Sequence, residues 1–160
     1  MKKKEEKTNV MRLLDQHHIL YKSYCYVDTN AISGVEVAQV LNQNEAQVFK
    51  TLVTIGNSRN HYVFMIPVPE ELDLKKAAKA VGEKSIEMVK SKELLPLTGY
   101  IHGGCSPIGM KKPFTTTIDE SAKNFETIIF SAEKIGYQVE VELEALKGIV
   151  AYHISDVIVK

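Results

Sequence analysis

The sequence predicts one α+β domain around a mixed, largely antiparallel sheet. Three observations carry this. A chain of 160 residues suits a single domain. Short β-branched and aromatic runs follow one another with turn residues between them, as in hairpins. Interspersed with these are brief segments whose apolar residues recur at helical spacing. No repeat, low-complexity tract or linker divides the chain, so residues 8–160 read as one folded unit behind a flexible tail, residues 1–7.

The elements follow in order. Thr8 caps a first helix that carries Val10, Leu13, Leu14 and His17. Residues 19–27, rich in tyrosine, read as a strand. Ser33-Gly-Val-Glu36 is a capping box; Val35, Ala38 and Leu41 share the face of the helix it opens, and Asn42-Gln-Asn44 closes that helix. Strands over 48–55 and 62–68 flank the turn Gly56-Asn-Ser-Arg-Asn60. Asp73 caps a third helix with Leu74, Ala77, Ala78 and Val81 on one side, and Gly82 stops it. Residues 85–89 form a short strand, and Ser91 caps a short helix that Pro96 ends or interrupts. Strands over 115–118, 127–131 and 137–141 come next. A short helix with Leu143, Leu146 and Val150 and a last strand over 151–154 complete the chain.

Composition narrows the function. Twenty basic and twenty acidic residues give zero formal charge, which disfavours strong non-specific nucleic-acid binding but leaves room for a local basic patch. The longest apolar run, around 62–68, is far too short to span a membrane. The N-terminal Met-Lys-Lys-Lys-Glu-Glu-Lys has no apolar segment behind it, unlike a secretory leader. Cys25 and Cys105 are far apart and form no redox or metal-type pair, so a cytoplasmic protein with free thiols is expected. The five histidines fall in no zinc-ligand spacing.

Two features point to chemistry. Lys50 interrupts Val48-Phe-Lys-Thr-Leu-Val53, a run that otherwise reads as a strand buried on both faces. A lysine there reaches water at a strand end, finds an anion, or loses its charge. The second feature is the loop Gly103-Gly-Cys-Ser-Pro-Ile-Gly-Met-Lys-Lys112. Its glycine spacing fits neither a Walker loop nor the dinucleotide fingerprint. Consecutive glycines let a backbone approach a ligand closely, Ser106-Pro107 sets a bend, and Gly109 can adopt a positive φ. Cys105 in this loop is a candidate nucleophile only if a base or positive field makes its thiolate; otherwise it is a small buried apolar residue.

These pieces together resemble the YbaK/EbsC proteins, free-standing homologues of the editing domain inserted in bacterial prolyl-tRNA synthetases. The resemblance rests on Lys50-Thr51-Leu52 after Gln47-Val-Phe49, Pro67-Val68, Leu72-Asp-Leu-Lys-Lys-Ala-Ala-Lys79, Thr98-Gly-Tyr100 and the loop Gly103-Gly104-x-Ser106-Pro107-x-Gly109-x-Lys111-Lys112. It implies a barrel-like sheet with surrounding helices, no metal or cofactor, and hydrolysis of the ester that joins a wrong amino acid to the tRNA 3′ end. The implied substrate is cysteine mischarged on proline tRNA. The implied partners are tRNA and prolyl-tRNA synthetase. The family lysine maps to Lys50, and the substrate-binding positions to Tyr26, Thr51, Gly103, Gly104, Ser106, Pro107, Gly109 and Ser131. Lys111 and Lys112 are candidate tRNA contacts. Some relatives carry an acidic residue where this chain has Gln138, and an aromatic where Ile32-Ser33 stands.

An aminoacyl ester is already activated, so holding and polarising it suffices. The resemblance implies that the substrate cysteine attacks its own ester and leaves as a thiolactone, a reaction that gains from fixed orientation. The glycine loop would stabilise the oxyanion. Two alternatives stand beside this reading: a module that binds an aminoacyl-tRNA 3′ end or a nucleotide without turning it over, and a deacylase for alanine or another small amino acid, which needs an activated water.

Overall fold

The computed structural model describes residues 7–101, 104–112 and 114–160. The tail expected over 1–7 lies outside them except for Lys7, which ion-pairs with Asp15. Helices begin where the sequence supplies caps. Thr8 Oγ1 accepts from the Met11 amide and opens α1 (Asn9–Gln16). The Ser33–Glu36 capping box opens α2 (Gly34–Val40). The Asp73 carboxylate accepts from the Lys75 and Lys76 amides at α3 (Leu74–Val81), and Gly82 ends that helix at φ 72°. In α4 (Ser91–Thr98) Lys90, not Ser91, holds the N-cap position, with no side-chain bond. Pro96 does not end α4, which runs on to Gly99 at φ 86°. The carbonyl that Pro96 leaves without a partner belongs to Lys92, an exposed first-turn residue that water can serve. A last short helix is α5 (Leu143–Leu146).

Among the described residues eight strands form two sheets: β1 (Tyr21–Cys25), β2 (Phe49–Gly56), β3 (His61–Pro67), β4 (Ile86–Met88), β5 (Thr115–Asp119), β6 (Thr127–Ser131), β7 (Tyr137–Glu142) and β8 (Tyr152–Ser155). The smaller sheet, in order β1-β7-β6, is antiparallel throughout. The larger, β4-β2-β3-β5-β8, is antiparallel across β4-β2-β3 and parallel across β3-β5-β8. The expected mixed, largely antiparallel character holds. The barrel does not close: among the described residues the sheets meet at one parallel bridge, Val48 to Ile129, beyond which β2 and β6 separate. β1 is also shorter than expected, because Ile19 is tied back to Leu14 at one end and the Tyr26 carbonyl accepts from the Thr29 amide in a turn at the other.

The main core lies between the sheets. Phe49, Met65 and Ile118 of the larger sheet meet Ile128, Phe130, Val139 and Val141 of the smaller one, with Val10 and Leu14 of α1 closing one end. On the other face of the larger sheet, Phe64 and Ile66 pack under Ala77 and Ala78 of α3. Ala38 of α2 sits on the junction itself, against Val48, Val68 and Ile129. A backbone hydrogen bond nets about 1 kcal/mol, whereas each buried Val or Ile contributes roughly 1.5–3 kcal/mol. Packing under α2, rather than the bridge, therefore holds the two sheets together where the site begins.

Candidate active site

The site starts from the hydrogen-bond phase of β2. Val68 donates to the Val48 carbonyl and Gly56 donates to the Asn60 carbonyl, so even-numbered residues of β2 bond to β3. Odd-numbered residues turn their backbone groups to the outer edge, where Val89 donates to Val53 and Asn57 donates to Ser85. β4 pairs with that edge only over Thr54–Gly56. At the other end the Val48–Ile129 bridge covers it. Thr51 stands between these two contacts, its N–H and C=O facing a stretch of edge that no strand of the described residues pairs.

A cleft of about 430 Å³ opens at this gap. Its walls come from β2, the start of α2, the β4–α4 turn and the ends of β6 and β7. Four of the expected residues, Tyr26, Lys50, Thr51 and Ser131, line it together. Lys50 and Ser131 each stand two residues beyond the bridge. The hydroxyls of Thr51 and Ser131 are buried without a hydrogen-bond partner. An orphaned buried hydroxyl costs about 1–3 kcal/mol, and two in one cleft mark a place where a ligand's polar groups belong.

The loop behaves differently. Gly103 lies outside the described residues. Gly104, Ser106, Pro107 and Gly109 do not line the cleft; they buttress it. A Cβ on Gly104 would come within 3.0 Å of the Glu133 carbonyl oxygen. Ser106 Oγ accepts from the Ile108 amide, Ile108 enters the main core, and the Tyr100 hydroxyl donates to the Ile108 carbonyl at 2.5 Å. Gly109 has φ 76° against that same hydroxyl. Cys105 is the loop residue that reaches the cleft. Burial pushes its thiol up to about 12, so at neutral pH it is a thiol and no nucleophile. Lys111 and Lys112 are exposed and outside the cleft.

Lys50 is the one charged residue among the described lining residues. It is half-buried, and that burial pulls its ammonium below the ordinary lysine value; Glu71 and Glu70, in the segment before α3, partly offset the shift. In the sequence those two glutamates stand just before the Asp73 cap, and nothing in their spacing reveals that their charge reaches Lys50. Sequence reasoning also missed Gln43, whose Nε2 donates to Gln138 Oε1 at 2.8 Å behind the cleft wall. Met88, Ser91 and Leu94 were missed as wall residues because chain order does not show that β4 leaves β2 early. Exposed Ile32 and Met88 give the mouth an apolar rim.

Comparison with known proteins agrees with this architecture. The family model of the aminoacyl-tRNA editing domain matches residues 29–149. A protein of Enterococcus faecalis, named as a candidate Cys-tRNA(Pro)/Cys-tRNA(Cys) deacylase, EbsC, is 44% identical over 160 residues, which cover 99% of this chain and 98% of that one. The crystal structure of a candidate trans-editing enzyme for prolyl-tRNA synthetase superposes with a TM-score of 0.81 at 22% identity, covering 94% of this chain and 95% of that one. That of a hypothetical protein superposes with a TM-score of 0.85 at 19% identity, covering 96% and 100%. At these identities the structural matches speak for the fold.

Proposed function

Since the chain belongs to the aminoacyl-tRNA editing domain family, we propose that it is a trans-editing deacylase that cleaves the ester of mischarged aminoacyl-tRNA, with Cys-tRNA(Pro) its preferred substrate. One observation carries the reading. The cleft offers a cation, two orphaned hydroxyls and an open backbone edge, but among its described lining residues no imidazole or carboxylate stands beside a protein nucleophile. Such a site holds and polarises an ester, and the nucleophile comes with the substrate.

In this mechanism the scissile carbonyl lies along the open edge of β2, where the Thr51 N–H donates to its oxygen as charge develops. Lys50 meets the ribose hydroxyl or phosphate side of the ester and stabilises the departing 3′ oxygen. The cysteine sulfur attacks its own carbonyl carbon. A carbon–sulfur bond forms, the carbon–oxygen bond to the ribose breaks, and the thiol proton ends on the 3′ oxygen. Water then opens the thiolactone. Held geometry is what such an intramolecular step needs. The Ile32–Met88 rim suits the terminal adenine, and Lys111 and Lys112 lie along the incoming phosphates. With a net charge of zero, tRNA binding is weak and salt-sensitive, and prolyl-tRNA synthetase supplies the remaining affinity in the cytoplasm.

A second reading is favoured by the burial of Lys50 in the cleft, which disfavours its charged form: a lysine so placed can serve as a base toward water, which would extend cleavage to alanyl esters. The deciding experiment incubates the protein with Cys-, Ala- and Ser-tRNA(Pro). Rapid loss of the cysteinyl ester alone is expected. If all three survive at the rate without protein, the chain is a binding module and the deacylase reading falls.

A further inference from the structure

Glu70 and Glu71 follow the end of β3, just past Val68, which lines the cleft. Their backbone is held on both sides. The Glu70 amide donates to the Pro67 carbonyl, the Glu71 carbonyl accepts from the Val159 amide, and Leu72 bridges to Ile158. Val157, beside that bridge, donates in turn to the buried Asp119 carboxylate. The segment therefore stays next to the start of β2, where Val68 donates to the Val48 carbonyl. Lys50 is the next residue of β2 on the same face as Val48. It stands opposite Ile66, which packs under α3. The two glutamates lead into α3 and so lie on that side of the sheet.

The charges here face one another without pairing. Glu70 and Glu71 act on Lys50 across space, yet among the described residues neither carboxylate forms a hydrogen bond or an ion pair. The other carboxylates around the cleft are engaged. Both oxygens of Glu140 accept from Tyr24 and Thr127. Glu133 accepts from the Asn9 amide, and Glu36 closes the α2 capping box. Two carboxylates against one ammonium leave this side of the mouth with a negative charge to spare. An aminoacyl ester brings the matching need. With its carbonyl at Thr51 and its leaving oxygen at Lys50, its α-nitrogen stands near the lysine. As an ammonium it is all donors and is repelled by Lys50, so it requires an anionic acceptor. Glu70 and Glu71 are the carboxylates with that capacity unused.

We propose that Glu70 and Glu71 receive the α-ammonium of the aminoacyl group, so that the protein selects esters with a free amino group over esters whose α-substituent is uncharged. The proposal rests on the deacylase reading above. Glu70, half-buried, and Glu71, exposed, are specificity residues at the mouth. Bond breaking stays with the substrate sulfur, the β2 edge and Lys50. An N-acylated ester, such as a peptidyl-tRNA carries, lacks the ammonium and is turned away.

The experiment loads tRNA(Pro) with cysteine or with 2-hydroxy-3-mercaptopropionate, which share the thiol and differ in an amino or hydroxyl group of similar size. Ester loss is followed at pH 6, below the α-amino range of about 7.7–8.0, and each rate is divided by the rate without protein. The cysteinyl ester should be favoured about tenfold, the scale of one hydrogen bond to a charged group. Glu70→Gln and Glu71→Gln combined should bring the two esters within about threefold of each other. Removing the two charges also alters the field at Lys50, but that change acts on both esters alike, so the ratio isolates the ammonium contact. Equal rates in the unaltered protein overturn the proposal, and so does a preference that survives the double substitution. If the double variant fails to fold, the two single substitutions decide, and a ratio unchanged in both overturns the proposal. Survival of both esters at the rate without protein overturns the deacylase reading and this inference with it, a result distinct from equal cleavage of the two.

Discussion

Lys50 and Ser131 stand at matching positions on two different sheets, each two residues past the bridge between Val48 and Ile129. The separation of β2 from β6 beyond that bridge creates the cleft, and the same separation leaves the Ser131 hydroxyl without a partner. A cation from one sheet and a hydroxyl from the other thus border the same unpaired edge.

Replacing Lys50 by methionine keeps most of its apolar stem and removes the charge. Deacylation should fall about 10²-fold or more, the usual loss for an electrostatic stabiliser in a closed site. Stability should not fall. The folded state lowers the Lys50 pKa through burial, so it binds fewer protons than the unfolded chain between that lowered value and the ordinary one. Stability of the unaltered protein therefore rises with pH across that window, and the methionine variant lacks this rise. Denaturant titrations at pH 7 and near pH 10, alongside the activity assay, check both parts. Full activity in the variant would end the assignment.

Thr51 separates side chain from backbone. Its N–H is not part of the β2–β3 ladder, so Thr51→Pro deletes the proposed oxyanion donor without breaking a strand bond. Activity should drop about 10²-fold with an unchanged circular-dichroism spectrum. Thr51→Val removes only the hydroxyl and should cost far less. Because the proline ring also enters the cleft, a backbone ester at position 51 serves as the control; equal rates for that ester and the native amide would rule out the donor role.

The Cys105 thiol, held up to about 12 by burial, predicts a silent substitution. Cys105→Ala should retain activity within a few-fold, and initial-rate measurements suffice to check it. Loss of all turnover in a folded variant would return the nucleophile to the protein.

Gly109 tests the buttress. An alanine there keeps φ near 76° only at a cost of about 1–2 kcal/mol. Its Cβ would also lie 2.8 Å from the Tyr100 hydroxyl and 3.0 Å from Leu13 Cδ1. Each kcal/mol lowers Tm by roughly 2–4 °C in a domain of this size, so thermal unfolding should shift down by several degrees. Since Gly109 does not line the cleft, the Michaelis constant should move little. An unchanged Tm would contradict the packing described.

Much of this was legible in the chain. The caps at Thr8, Ser33 and Asp73 and the stop at Gly82 have local causes, and each acts where local chemistry puts it. Lys50 stood out because a charge inside an apolar strand needs an explanation. Motif resemblance led to Tyr26, Thr51 and Ser131, which do share a cleft. Other features depend on how distant strands meet. The open barrel follows from β2 and β6 parting after one bridge, and no residue pattern announces that. The loop from Gly104 to Gly109 illustrates the limit: glycines and a proline declare a shaped backbone, but not whether that shape serves a ligand or the core beneath it. Gln43 was invisible because an amide after a helix is ordinary until its partner, 95 residues away, is known.

The bridge between the sheets also orders events in folding. Lys50 comes from the first third of the chain, whereas Ser131 and Gln138 come from its last fifth. The β2–β3 and β6–β7 hairpins close over short turns and can form early, as local contacts do. Neither hairpin contains a working site. Catalytic competence arrives only when two distant hairpins dock, so the return of deacylation after dilution from denaturant times the formation of long-range contact rather than of secondary structure.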